Sequence, residues 1–267
     1  MKMIDEADFD YSKFGYNEID LGDDIIYSKL DIKYDDNKLG FKKGSYRILS
    51  GHNLYLYNET QTNKLVQYVV DVLNELTSKL KIKKTDKILI CGLGNYDIVA
   101  DSFGVETCKK VLATYDIKSS ITNSKICKII PNVKMNTGLD TFTIVNGIIK
   151  LVNIKLIIVI DSLITKNIQR IGHSIQISTC GTTPGGGICN GKEISKQTTN
   201  VECMTIGIPF MIDLKSISNK VNKQIIVTPK DNFEMINFCS NIVSDAINLF
   251  FNPKLTKKEI NELKRPI

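Results

Sequence analysis

With 267 residues, the chain is long enough for one large α/β domain or two small ones around a sizeable core. Its 42% apolar and 24% charged residues are ordinary for a water-soluble globule. The net charge of +6 is carried by scattered lysines, so it reads as a solvated surface rather than a nucleic-acid patch. No run approaches membrane-spanning length, and Met1-Lys-Met-Ile-Asp-Glu-Ala-Asp lacks the apolar core of a signal peptide. The seven cysteines, odd in number and without Cys-x-x-Cys, point to a reduced cytoplasmic chain.

Residues 1–24 are acidic and polar, with four aromatics (Phe9, Tyr11, Phe14, Tyr16), and read as a loosely held leader. Residues 25–267 read as one α/β domain. Alternation predicts short strands at Ile25–Ile32, Gly44–Leu49 and Leu54–Tyr57, forming a small antiparallel extension at one side of the main sheet. From Glu59 to Ile82, Leu65, Val66, Val69, Val70, Leu73, Leu76 and Leu80 recur at helical spacing. Then come a strand at Ile88–Ile90, a helix over Ser102–Thr114, a strand at Ile126–Ile130, a helix over Thr141–Val152 and a strand at Leu156–Ile160. A short helix to Arg170 follows, with strands at Ser174–Ser178, Met204–Ile208 and Ile225–Thr228. A helix over Asn232–Phe251 and a shorter one in the lysine-rich tail close the chain. Helices alternating with strands predict a three-layer α/β fold of the phosphorylase/hydrolase-like kind, its sheet mainly parallel and covered on both faces.

Two of these units share one layout. Ile88–Ile90 runs into Gly92-Leu-Gly94 and then reaches Asp101; Leu156–Ile160 is followed directly by Asp161. Sites in parallel sheets gather beyond the carboxyl ends of the strands, so the pattern predicts two carboxylates on one rim. Each aspartate taken alone reads first as a helix N-cap; the paired placement is what favours a site. Two adjacent carboxyls resist ionising together. One would keep its proton and donate to a peptide carbonyl while the other draws a proton from water, a complete route for peptide hydrolysis.

Competing motifs fall short. A dinucleotide fingerprint would need its third glycine where Asp97 stands. Gly186-Gly-Ile-Cys-Asn-Gly191-Lys192-Glu193 lacks the P-loop's final Ser or Thr and its preceding strand. Nothing places a histidine base beside Ser102, Ser162 or a cysteine. His173 with Asp101 and Asp161 would make a three-ligand metal set; a surface or hydrogen-bonded histidine serves as well, and no cofactor is called for. The one long irregular loop, Cys180 to Glu193, carries Gly181, Pro184, Gly185, Gly186 and Gly187, and is expected to border a substrate cleft.

At this point the residues resemble a known family. Gly92-Leu-Gly-Asn-Tyr-Asp-Ile-Val-Ala-Asp101-Ser-Phe-Gly104 is similar to the signature of the spore germination proteases of endospore-forming bacteria. Further blocks match in the same order. They are Asn136–Thr141, Ile158–Arg170, and a third comprising Ser174–Ser178, Gly181, Pro184–Asn190, Glu193–Lys196 and Ile206–Pro209. The likeness spans roughly residues 45 to 250. It implies an endopeptidase of the forespore and spore core that degrades small acid-soluble spore proteins. It also implies a zymogen that trims its own leader, a homotetramer, and catalysis by Asp101 and Asp161. Asn95, in the glycine turn, is placed to orient one of them or simply to cap the turn. The implied fold is similar to that of hydrogenase maturation proteases, which keeps a metal-dependent maturation protease as one alternative. A catalytically silent, protein-binding family member is another. The leader's cleavage motif is altered: Asn17-Glu18-Ile19-Asp20 stands where Thr-Asp/Glu-Leu-Ala is usual, so Glu18–Ile19 is the expected cut. Ala100 replaces the usual proline before Asp101.

Overall fold

One sheet runs through the computed structural model, which describes residues 16–35, 41–185, 191–217, 223 and 225–264. Its nine strands among these residues are β1 (Asn17–Asp20), β2 (Ile25–Ile32), β3 (Gly44–Gly51), β4 (Lys87–Gly92), β5 (Lys125–Ile129), β6 (Leu156–Thr165), β7 (Ser174–Ser178), β8 (Glu202–Asp213) and β9 (Ile226–Val227). The lateral order is β1-β2-β3-β7-β8-β6-β4-β5, with β9 hydrogen-bonded to β8. The strands β8, β6, β4 and β5 are mutually parallel. From β8 outward through β7, β3, β2 and β1 every pairing is antiparallel.

The parallel strands are apolar on both faces because both are covered. On one face Ile88, Ile90, Ile158, Ile160, Met204 and Ile206 pack in a single cluster with side chains of α1 (Glu59–Lys79), α2 (Phe103–Lys110) and a late helix, Asn232–Phe251. On the other, Leu89, Cys91, Ile157, Val159 and Cys203 meet Ile194 and the helix Thr141–Val152, through Phe142, Val145 and Ile149. This is the expected three-layer α/β architecture. A reciprocal cap between Asn58 and Gln61 starts α1. The helix is held to β3 by Arg47, 1% exposed, whose guanidinium reaches Glu75 on α1 (2.5 Å) and Asp31 on β2 (3.1 Å).

Four local expectations are corrected. Leu54–Tyr57 is not a strand: Leu54–Leu56 forms a 3-10 turn entered from Asn53 in the left-handed region, and Asn58 then begins α1. The helix after Asp101 ends at Lys110, not Thr114. Lys128 Nζ caps the carbonyls of Cys108, Lys109 and Val111 (3.1, 3.0 and 2.8 Å), and the Leu112 N–H donates to Asn248 Oδ1 (2.8 Å). β6 does not stop at Ile160 but runs through Asp161 to Thr165, held by β8 over its whole length, so only a 3-10 turn, Ile168–Arg170, remains before β7. Finally, residues 17–20, expected in a loose leader, are the edge strand β1, paired with β2 from Asn17–Lys29 to Asp20–Ile26. Among the described residues no helix is long and apolar enough to cross a membrane.

Candidate active site

Three chain segments converge at the carboxyl end of β4. The Leu93 N–H donates to Ile160 O on β6 (2.8 Å), which carries the turn after β4 alongside the neighbouring strand. Gly94 then adopts φ +125°, and a Cβ there would sit 1.7 Å from the carbonyl oxygen of Asp101. Gly104, in the first turn of α2, is equally pinned: its Cβ would lie 2.2 Å from Ile160 O and 2.4 Å from Leu93 O. No side chain fits at either position, and that absence is what lets the helix start and the strand ends close up. Asp101 closes a 3-10 turn, Val99–Asp101, directly before α2.

Asp101 is partly buried. Its Oδ2 accepts from the Asn95 N–H at 2.9 Å, while the Asn95 side chain is turned to its own loop, Oδ1 accepting from the Asp97 N–H (2.9 Å). Asn95 therefore meets Asp101 through its backbone and not through its side chain. Asp161 lies one residue beyond Ile160, inside β6, with its side chain on the face of Ile157 and Val159. No helix follows it, so the N-cap reading fails for this residue. The next residue is tied to α2 as well, Ser162 Oγ accepting from the Phe103 N–H (3.3 Å).

The two carboxyls act on each other. Burial pushes Asp101 up to about 6, with the Asn95 N–H pulling the other way. Burial, joined by the charge of Asp101, pushes Asp161 up to about 8, against the Ser162 N–H that favours its ionised form. Near neutral pH the pair therefore holds one ionised and one protonated carboxyl, with Asp101 the stronger acid.

The other residues singled out in the sequence are placed as follows. Gly181 (φ +81°) and Thr182 lead into the long loop, with Thr182 bridged to Ile194 and the Gly191 backbone close to Pro184 O. Ile194 packs with Cys91, Leu93 and Val159, so the loop containing Pro184 and Gly185 is anchored on the sheet face that carries the Asp161 side chain. Gly186 and Gly187 lie outside the described residues. Glu18 and Ile19 are in β1, at the far edge of the sheet. His173 does not join the aspartates: its Nδ1 meets Gln169 O (2.8 Å), its Nε2 meets Asn53 Oδ1 (3.0 Å), and its ring lies 5.3 Å from that of His52. The metal set drawn from His173 and the two acids is thus not assembled. Among the described residues, no three His, Cys, Asp or Glu side chains gather as a metal site.

Sequence reasoning missed a cleft of about 500 Å³ over the antiparallel strands. Ile26, Ser28, Ile48 and Ser50 form its floor, with Tyr16, Glu18, His52, Arg170 and His173 around it. The signal was present as the alternation of Ile and Ser on one face of β2 and β3, but only the lateral register of the two strands turns it into a surface.

A profile of the germination protease family matches residues 6–259. A germination protease of Clostridium acetobutylicum is 27% identical, the alignment covering 90% of this chain and 89% of that protein. One from Oceanobacillus iheyensis is 28% identical over 91% of this chain and 68% of its own length. One from Priestia megaterium is 31% identical over 68% and 51%.

Proposed function

From the germination protease family, to which this chain belongs and which makes it a peptidase, we propose an endopeptidase of spore germination that degrades small acid-soluble spore proteins with Asp101 and Asp161. The observation that supports the reading is that Asp101 and Asp161 stand at the neighbouring carboxyl ends of β4 and β6, with the charge of Asp101 felt at Asp161.

In the proposed reaction, ionised Asp101 takes a proton from a water molecule as the water oxygen attacks the scissile carbonyl carbon. Protonated Asp161 gives its hydrogen bond, and then its proton, to the carbonyl oxygen, which forms a neutral tetrahedral diol. On collapse, the diol returns a proton to Asp161. Asp101 passes the proton it took from water to the departing amide nitrogen, and the C–N bond breaks. Both carboxyls end as they began. The Asn95 N–H keeps Asp101 ionised for the first step.

The same reading includes a zymogen whose leader is removed at Glu18–Ile19, a homotetramer, and action in the spore core on protein substrates. The loop carrying Gly181, Pro184 and Gly185 borders the substrate. Cleavage of a purified acid-soluble spore protein by the full chain, with and without chelator, tests the activity. Cleavage unaffected by chelator supports two-carboxylate chemistry, chelator-abolished cleavage supports a metal-dependent protease, and no cleavage supports a silent binding protein. N-terminal sequencing of the matured protein tests the leader: an intact Met1 in the active form removes Glu18–Ile19 as a processing site.

A further inference from the structure

The turn that delivers Asp101 carries an exposed apolar edge. Tyr96, Ile98 and Val99, three large side chains within four positions, are 46, 50 and 48% exposed, while Ala100 beside them is buried. Among the described residues no other three exposed large apolar side chains lie so close together in sequence. Apolar side chains scattered singly over a surface are ordinary; a contiguous group marks a place where something binds. The backbone beneath this group is already committed. The Ile98 N–H donates to Asn95 O (3.3 Å) and the Asp101 N–H to Ile98 O (3.0 Å). The Ser102 N–H and Oγ both donate to Val99 O (3.0 and 2.8 Å). Lys109 Nζ of α2 stands 5.5 Å from the centre of the Tyr96 ring. Turning the segment inward would break these bonds and draw the Asn95 N–H off Asp101 Oδ2. The bonds that hold the acid thus also hold the apolar edge outward.

We propose that this edge is a specificity subsite that takes an apolar side chain of the substrate, from a residue adjoining the bond being cut. The proposal rests on Asp101 and Asp161 being the catalytic pair. Val99 and Asp101 are the two ends of one 3-10 turn, separated by about 4 Å of rise. Two residues of an extended peptide span about 6.6 Å. A peptide with its scissile bond at Asp101 therefore meets Ile98 and Val99 with a neighbouring side chain, not a distant one. An apolar side chain gains by covering them, whereas a polar one gives up water and finds no partner in their methyl groups.

The test uses peptides spanning one cleavage site, with Ser, Val, Leu or Phe at each of the two residues flanking the bond, cut by the full chain. At one of these positions kcat/KM should rise roughly 10–100-fold from Ser to Leu. Ile98→Asn, and independently Val99→Thr, should pull that ratio toward one. Both side chains are exposed, so circular dichroism of each variant should match wild type. Leu151→Asn serves as the control: Leu151 is 88% exposed but sits near the far end of the helix Thr141–Val152, away from the carboxyl ends of the strands. It should keep the ratio. Equal rates for Ser and apolar peptides at both positions overturn the subsite. So does a ratio that survives in both variants, or one that Leu151→Asn lowers as much. A variant that loses an oligomer in size-exclusion chromatography while its ratio stays intact gives the edge to a second copy and also overturns it. If wild-type protein cuts no peptide at all, the catalytic reading has failed and the subsite falls with it, a result distinct from cleavage without preference.

Discussion

The Asn95 N–H donates to Asp101 Oδ2 at 2.9 Å, so the group holding the acid in place belongs to the main chain. The Asn95 side chain serves the turn instead, through the Asp97 N–H. Asn95→Ala keeps the donor and loses only one exposed hydrogen bond, worth about 1 kcal/mol. It should lower kcat/KM by less than about tenfold, as read in a standard cleavage assay. A loss of the size expected for the aspartates would mean that the amide itself touches substrate.

Replacing either carboxylate should stop the chemistry and spare the fold. Asp101→Asn and Asp161→Asn are each expected to reduce kcat by roughly 10²–10⁴-fold. Because the two act as a unit, the double variant should be little worse than the poorer single one. Steady-state kinetics of the three variants, beside their circular dichroism, check this.

The pH profile follows from the proton assignments. Below about 6 Asp101 gains a proton and ceases to be a base; above about 8 Asp161 loses its proton and ceases to be an acid. Plotted against pH, kcat/KM should form a bell centred near neutrality. Asp161→Glu, if any activity remains, should move the alkaline limb and leave the acid limb in place.

The same protons affect stability. In the unfolded chain an aspartate titrates near 3.9; in the fold Asp161 holds its proton up to about 8. Between these values the folded state binds more protons. Its advantage is therefore complete below pH 4 and is lost as pH rises through 8. Asp161→Asn cannot ionise and escapes that loss. It should unfold at a higher temperature than wild type at pH 9, with the gap closing at pH 4. Thermal unfolding at the two pH values measures it.

Two glycine substitutions should separate close packing from helix propensity. Gly104→Ala drives a methyl into the Ile160 and Leu93 carbonyls and should cost about 1–3 kcal/mol, with activity falling further as the strand ends part. Gly147→Ala, in the helix Thr141–Val152 and with open space around its Cα, should stabilise by about 0.5–1 kcal/mol and leave cleavage unchanged. Denaturant midpoints of both variants decide the matter.

The parts of this molecule that declare themselves in the sequence are those whose signal is local. The run Leu156–Ile160, the helical spacing from Leu65 to Leu76 and the span Asn232–Phe251 each carry their own period, and the structure places them within a few residues of expectation. The two aspartates were legible as strand-end acids, and the likeness at Gly92–Gly104 sharpened them into a pair. What stayed hidden depends on lateral partners. Ser162 to Thr165 remain extended because β8 hydrogen-bonds them, and Asn17–Asp20 is a strand only because β2 offers an edge. The cleft needs three registers to be known together.

The edge strand β1 has one further consequence. Its Glu18–Ile19 bond is knit into the ladder with Ser28 and Tyr27, five strand spacings or about 24 Å from Asp161. A molecule folded this way keeps its own proposed cut site beyond the grasp of its own acids. Trimming must therefore wait until that seam unzips and its freed end swings across, or until a neighbouring copy supplies the blade.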